Sequence, residues 1–366
     1  MTGGDGAARR LAASLVVAGF QGTALPDWVE TALRGGLAGV VLFRRNVESA
    51  AQVAALAGAI RAVAPAAFVC IDHEGGRVQR LRAAEGFTEW PSARAVSARG
   101  GPDEARAAAA AMGRELRAVG VDVSFAPVLD VDTNAANPVI GDRAYASDPV
   151  RVAQMGVAVA EGLGAAGVLA CGKHFPGHGD TGVDSHVGLP VVLHDLARLR
   201  AVELMPFGAA ARARIPAVMT AHVVVPALEP GVPATCSAAA LRLLREELGF
   251  AGCIVSDDLE MKAIDDPAGA AVAAVRAGVD LVLVCSARTA VESVLGALAS
   301  EAAAGPERRR RLEEAAERVA VLRGRAEPAR PLRDEALHAA LRDRNALELA
   351  ARLGGPAAGP DPTERA

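Results

Sequence analysis

Aromatic rings are scarce in this chain, at 3% of its residues, which excludes a surface built from extended stacking platforms. Cysteine is sparse as well. The five thiols, Cys70, Cys171, Cys236, Cys253 and Cys285, are odd in number and far apart, so they read as buried free thiols in a reducing compartment rather than a CxxC pair or a disulfide framework. No apolar stretch reaches the roughly 18 uninterrupted residues that a membrane span requires. A surplus of positive charge is missing too: 39 Lys and Arg face 43 Asp and Glu, a net charge of −4, which excludes a chain that grips nucleic acid mainly through its charge. The segment Ala7 to Phe20 sets Arg9 and Arg10 ahead of LAASLVVAGF, but no AxA-like cleavage site follows. It is read as the first strand rather than a secretory signal, and the protein is expected to be soluble and cytoplasmic.

What is present is a large apolar share, 51% of 366 residues, enough for a core that needs no staples. Eight short β-rich apolar runs recur: Ser14 to Phe20, Gly39 to Phe43, Ala66 to Ile71, Val123 to Leu129, Gly167 to Gly172, Ala217 to Ala221, Gly252 to Ser256 and Leu281 to Ser286. Each ends in polar or Gly-rich residues and is followed by an Ala/Leu/Arg-rich segment with helical spacing. Continuous apolar strands of this kind are buried on both faces, as in parallel sheets covered by helices. The pattern predicts an α/β fold, a single (β/α)8 TIM barrel over residues 1–326. An open doubly wound sheet is the alternative, but no G-x-G-x-x-G follows an early strand. Residues 327–366 are expected to form a short helical extension that ends in a disordered tail, GGPAAGPDPTERA. The run Arg308 to Arg311 reads as a solvated helix face, because Glu307, Glu313 and Glu314 stand at i,i+4 from its arginines.

In such a barrel the active site is built where the strands end, and here those ends are polar. Asp72 to Arg80 follows the third run, Asp130 to Arg143 the fourth, Lys173 to His186 the fifth, His222 the sixth and Ser256 to Met261 the seventh. Five of the seven histidines fall in these stretches, the pattern of a polar small-molecule pocket. Gly177, Gly179, Gly182 and Gly188 are expected to make the fifth loop mobile. Two readings of that loop compete: a metal site built on His174, His178, Asp184 and His186, or a hydroxyl-binding and acid/base loop without metal. Lys173 weighs against the first, since an ammonium beside the ligands repels a divalent cation.

The motifs KHFPGHGDTGVDSH, DHEGGRVQR, IGDRAYASD and SDDLEM closely resemble the family 3 glycoside hydrolases, specifically their β-N-acetylglucosaminidase branch, in collinear order from about Ser14 to Arg325. The resemblance implies that Asp257 is the nucleophile. It also implies that His186 is the acid/base, oriented by Asp184 in a D-S-H pattern. Asp258 is the competitor for the first role, and strand alternation is expected to turn only one of the two toward the pocket. The resemblance further implies that Asp72, Arg80, Arg143, Lys173 and His174 bind the sugar, while Glu74, Arg77, His178 and His222 shape the pocket without assigned contacts. His73 stands where the family usually has Gln.

The expectation is thus a retaining exo-β-N-acetylglucosaminidase with no cofactor and no metal, acting on non-reducing terminal N-acetylglucosamine of muropeptide-type substrates in cell-wall turnover. No nucleic-acid or membrane partner is expected, and the chain is expected to be monomeric. Three alternatives remain: a phosphorylase using the same residues, a metal-dependent hydrolase, and a sugar-binding barrel without activity.

Overall fold

The computed structural model describes residues 3–182, 188–355 and 359–363. Eight parallel strands close into a barrel in chain order: Val16–Ala18, Gly39–Leu42, Phe68–Ile71, Val123–Ser124, Leu169–Phe175, Ala217–Thr220, Cys253–Asp258 and Leu281–Val284. The first strand pairs with both the second and the eighth, Val16 lying opposite Val282. Strand side chains are buried almost throughout, as the continuous apolar runs require when helices cover the sheet. Tight closure also needs small residues. A Cβ on Gly39 would lie 2.5 Å from the Phe68 carbonyl oxygen, so only glycine lets the second and third strands meet there.

Each expected strand is present, with shifted ends. The segment from Ala7 is not all strand: the helix Gly3–Ala13 precedes the first strand, burying Ala8 and Ala12 while Arg9 and Arg10 stay exposed. That four-residue spacing is helical. The fifth strand runs on through Lys173 and His174, and the seventh through Asp257 and Asp258, so these side chains stand on rigid backbone. An antiparallel hairpin, His73–Gly75 with Val78–Gln79, caps the third strand, its turn made by Gly75 and Gly76 at φ +92° and +62°.

Ion pairs brace the barrel floor. Asp280, fully buried just before the eighth strand, accepts from Arg245, Arg311 and Arg318. Asp122, before the fourth, pairs with Arg61. Arg311 therefore departs from the solvated role expected of its run, because a buried carboxylate and the Val275 and Val279 carbonyls take its guanidinium. Arg309 does pair with Glu313, at 2.8 Å.

Beyond the barrel, helices Asp334–Leu341 and Arg344–Leu353 pack against helix Pro102–Ala118. The chain thereby climbs the outer wall, from the floor, where the Ala329 N–H donates to Asp122, to the mouth. Residues 359–363 lie at that mouth against Arg77 and Arg80; the rest of the tail expected to be disordered, 356–358 and 364–366, lies outside the described residues. All five cysteines are free thiols, four buried and Cys236 half-buried. Among the described residues no helix is long and apolar enough to cross a membrane.

Candidate active site

A cavity of about 300 Å³ opens at the strand ends, and Asp72, Arg143, Lys173, His174, Asp257 and Asp258 line it. Five of the eight sequence-designated site residues thus meet in one pocket around Asp257. Of the others, Arg80 is fully buried behind Asp72, and Asp184 and His186 lie outside the described residues.

One wall is a hydrogen-bonded charge cluster. Lys173 Nζ donates to Asp72 Oδ1 at 2.7 Å and lies 2.6 Å from Glu74 Oε1. Arg143 grips Glu74 through Nε at 2.9 Å and Nη2 at 2.8 Å, a bidentate fork that fixes direction as well as charge. Burial alone would push both carboxyls up. For Asp72, Lys173 and then Arg80 outweigh it and hold the group well below the usual carboxylate range; for Glu74, Arg143 and then Lys173 bring it to about 2. Burial would likewise lower Lys173, but Asp72 and Glu74 raise its pKa instead. The result is a fixed array of ionised donors and acceptors suited to hydroxyl groups, with Asp72 partly open to the cavity.

His174 is aimed by Asp130, which is fully buried and sits 2.6 Å from Nδ1. Burial opposes ionisation of Asp130, yet His174 and the His178 backbone N–H keep its pKa below the ordinary value, so it accepts the Nδ1 proton. Nε2 is left as an acceptor toward Arg143 Nη2, at 3.4 Å. That arrangement fixes one tautomer from its network. Asp130 was noted in the sequence only as part of a polar stretch, and Glu74 only as a pocket-shaping residue. Being the first carboxylate after an apolar strand run was the available signal for Asp130.

In the first part of the loop after the fifth strand the backbone docks closely. A Cβ on Gly179 would sit 1.8 Å from the Val131 carbonyl oxygen, and Asn137 Nδ2 donates to the carbonyls of His178 at 2.8 Å and Gly179 at 3.0 Å. Gly179 thus permits close packing, whereas Gly182 has open space around it. His178 is buried, with Nδ1 2.6 Å from the Thr181 hydroxyl, and burial, then the neighbouring His174, lower its pKa to about 4. No group of His, Cys, Asp and Glu able to hold a metal is found among the described residues. The two described histidines of the metal reading have their Nδ1 atoms engaged by Asp130 and Thr181.

On the opposite wall both Asp257 and Asp258 contribute to the cavity lining, and their carboxylates have different surroundings. The seventh strand ends here, and Asp258 turns back so that its Oδ1 accepts the Glu260 and Cys285 N–H groups at 3.0 and 3.1 Å. Burial, only partly offset, raises the Asp258 pKa to about 7. Asp257, less buried, accepts the Asp258 N–H at 2.8 Å. His222 spans the Thr235 hydroxyl and the Asp258 carbonyl and so steadies the strand end.

Residues 18–322 match the glycosyl hydrolase family 3 N-terminal domain. The β-hexosaminidase of Methylococcus capsulatus is 43% identical over 278 residues, 74% of this chain and 82% of that one. A family 3 β-N-acetylglucosaminidase from Paenibacillus sp. superposes with a TM-score of 0.88 at 39% identity, over 94% of this chain and 68% of its own. NagZ from Neisseria gonorrhoeae, solved in complex with N-trifluoroacetyl-D-glucosamine, superposes at 0.74 with 34% identity, over 93% of this chain and 96% of its own.

Proposed function

The chain belongs to the family 3 glycoside hydrolases and is a β-hexosaminidase; on that premise we propose that it is a retaining exo-β-N-acetylglucosaminidase acting on peptidoglycan fragments, with Asp257 as nucleophile and His186, oriented by Asp184, as acid/base. The observation that supports this reading is the arrangement of the cavity. A carboxylate at the end of the seventh strand faces a fixed array of hydroxyl-binding groups, Asp72, Lys173, Arg143 and His174. The Neisseria relative's sugar complex supports an N-acetylglucosamine-type ligand for this chain.

In the proposed reaction Asp257 attacks the anomeric carbon as its bond to the leaving oxygen breaks, and imidazolium His186 passes a proton to that oxygen. Water, deprotonated by His186, then attacks the same carbon and expels Asp257, so that two inversions give net retention. A histidine suits both steps because it titrates near neutrality, and Asp184 would stabilise its charged form. The small aromatic content and compact cavity favour one terminal sugar over a long polymer.

Arg44 and Arg45 line the same cavity and favour an anionic acceptor, which keeps phosphorolysis as a second reading. The test is hydrolysis of 4-nitrophenyl N-acetyl-β-glucosaminide beside the β-glucoside, with and without phosphate. Turnover confined to the N-acetyl sugar is expected, and equal turnover of the glucoside would refute the specificity. Release of a sugar 1-phosphate would move the assignment to the phosphorylase.

A further inference from the structure

The C-terminal segment contributes to the pocket in a way that neither the fold class nor the motifs announce. Thr363 lines the cavity. Its Oγ1 accepts from Arg80 Nη2 at 2.7 Å and donates to Asp361 Oδ1 at 2.7 Å, while Asp361 itself forms an ion pair with Arg80 Nη1. Arg80 has no exposed surface, and the Asp361 side chain is only 5% exposed, so this is a buried contact bridging 281 positions in sequence.

Asp361 adds a carboxylate from outside the barrel to a cluster in which Arg80, Lys173 and Arg143 already meet Asp72 and Glu74, with the buried Asp130 close by. The geometry carries the effect to the substrate side: Arg80 Nη2 holds Asp72 Oδ2 at 3.2 Å while Lys173 holds Oδ1, so both oxygens are fixed and the carboxylate plane is set.

We propose that Asp361 and Thr363 are positioning residues of the sugar site: they anchor Arg80, Arg80 anchors Asp72, and Asp72 meets the substrate hydroxyls. The inference rests on the glycosidase reading above. In this arrangement Arg80 acts from behind the wall, and the C-terminal segment is part of the pocket rather than a competitor for it.

Asp361→Asn, Asp361→Glu, Thr363→Ala and a chain ending at Gly355 are compared with the full chain on 4-nitrophenyl N-acetyl-β-glucosaminide. N-acetylglucosamine binding is measured alongside by calorimetry, and thermal melting checks that each variant is folded. KM and the sugar Kd should rise together by about five- to tenfold in the shortened chain and in Asp361→Asn, with kcat within about twofold, the signature of lost uniform binding. Asp361→Glu should recover part of the affinity. An unchanged KM in folded variants overturns the inference, and a lower KM identifies the segment as an inhibitor of its own site. Failure of the full chain to turn over or bind the sugar would overturn the glycosidase reading itself, and the inference with it.

Discussion

Glu74→Gln tests whether the charge cluster is an energetic unit. The side chain keeps its shape, but Arg143 and Lys173, each 2% exposed, lose the carboxylate that both of them contact. Removing one partner from a buried ion pair costs about 3–5 kcal/mol. The depressed pKa of Glu74, about 2 against the usual 4.5, points the same way, since the cations favour its ionised form. At about 2.1 cal/mol/K of unfolding entropy per residue, a 3 kcal/mol loss in a chain of 366 residues lowers Tm by about 4 °C. The sign with pH follows from the depressed folded-state pKa. The contribution is fully present above the unfolded value near 4.5 and is lost as pH falls toward 2. Calorimetric melting of both proteins should therefore show a gap of about 4 °C at pH 7 that narrows steadily below pH 4.5. A gap that is absent at pH 7, or that persists unchanged into the acid range, would refute the reasoning.

Asp257→Ala should abolish turnover of the aryl glycoside while leaving the melting temperature close to that of the parent, and unimpaired hydrolysis would remove it as nucleophile. His186→Ala should lose least on activated aryl glycosides, which need little protonation of the leaving group; equal losses on good and poor leaving groups would argue against the acid role. Asp130→Asn removes the charge and one of the two oxygens that accept the His174 Nδ1 proton and the backbone N–H groups of His174 and His178 and should lower kcat/KM about 10- to 100-fold, the scale of one charge-assisted hydrogen bond. A change of less than twofold would show that the tautomer of His174 does not matter.

How much of this was legible depended on the range of the interaction concerned. The eight strands announce themselves because burial on both faces leaves an unbroken apolar run, a property of five to seven adjacent residues. The polar stretches that gather at the mouth were legible for a related reason, since the fold sends every strand end to one rim; within them, Asp72, Arg143, Lys173, His174 and Asp257 were picked out by the family resemblance. Where the reading failed, the deciding partner was distant. Gly179 resembles a hinge until Val131 is placed against it, and Arg311 resembles a surface arginine until Asp280 is placed beneath it. Alternation separates Asp258 from Asp257 only coarsely, and it is two backbone N–H groups from beyond the strand end that take the Asp258 carboxylate. The C-terminal segment shows the longest such range. Its Gly, Pro and Ala content describes a chain with no structure of its own, and nothing in that composition points to the contacts that Asp361 and Thr363 make with Arg80. Composition reports what a segment can do alone; contacts with a side chain far away in the sequence decide where it lies in the fold.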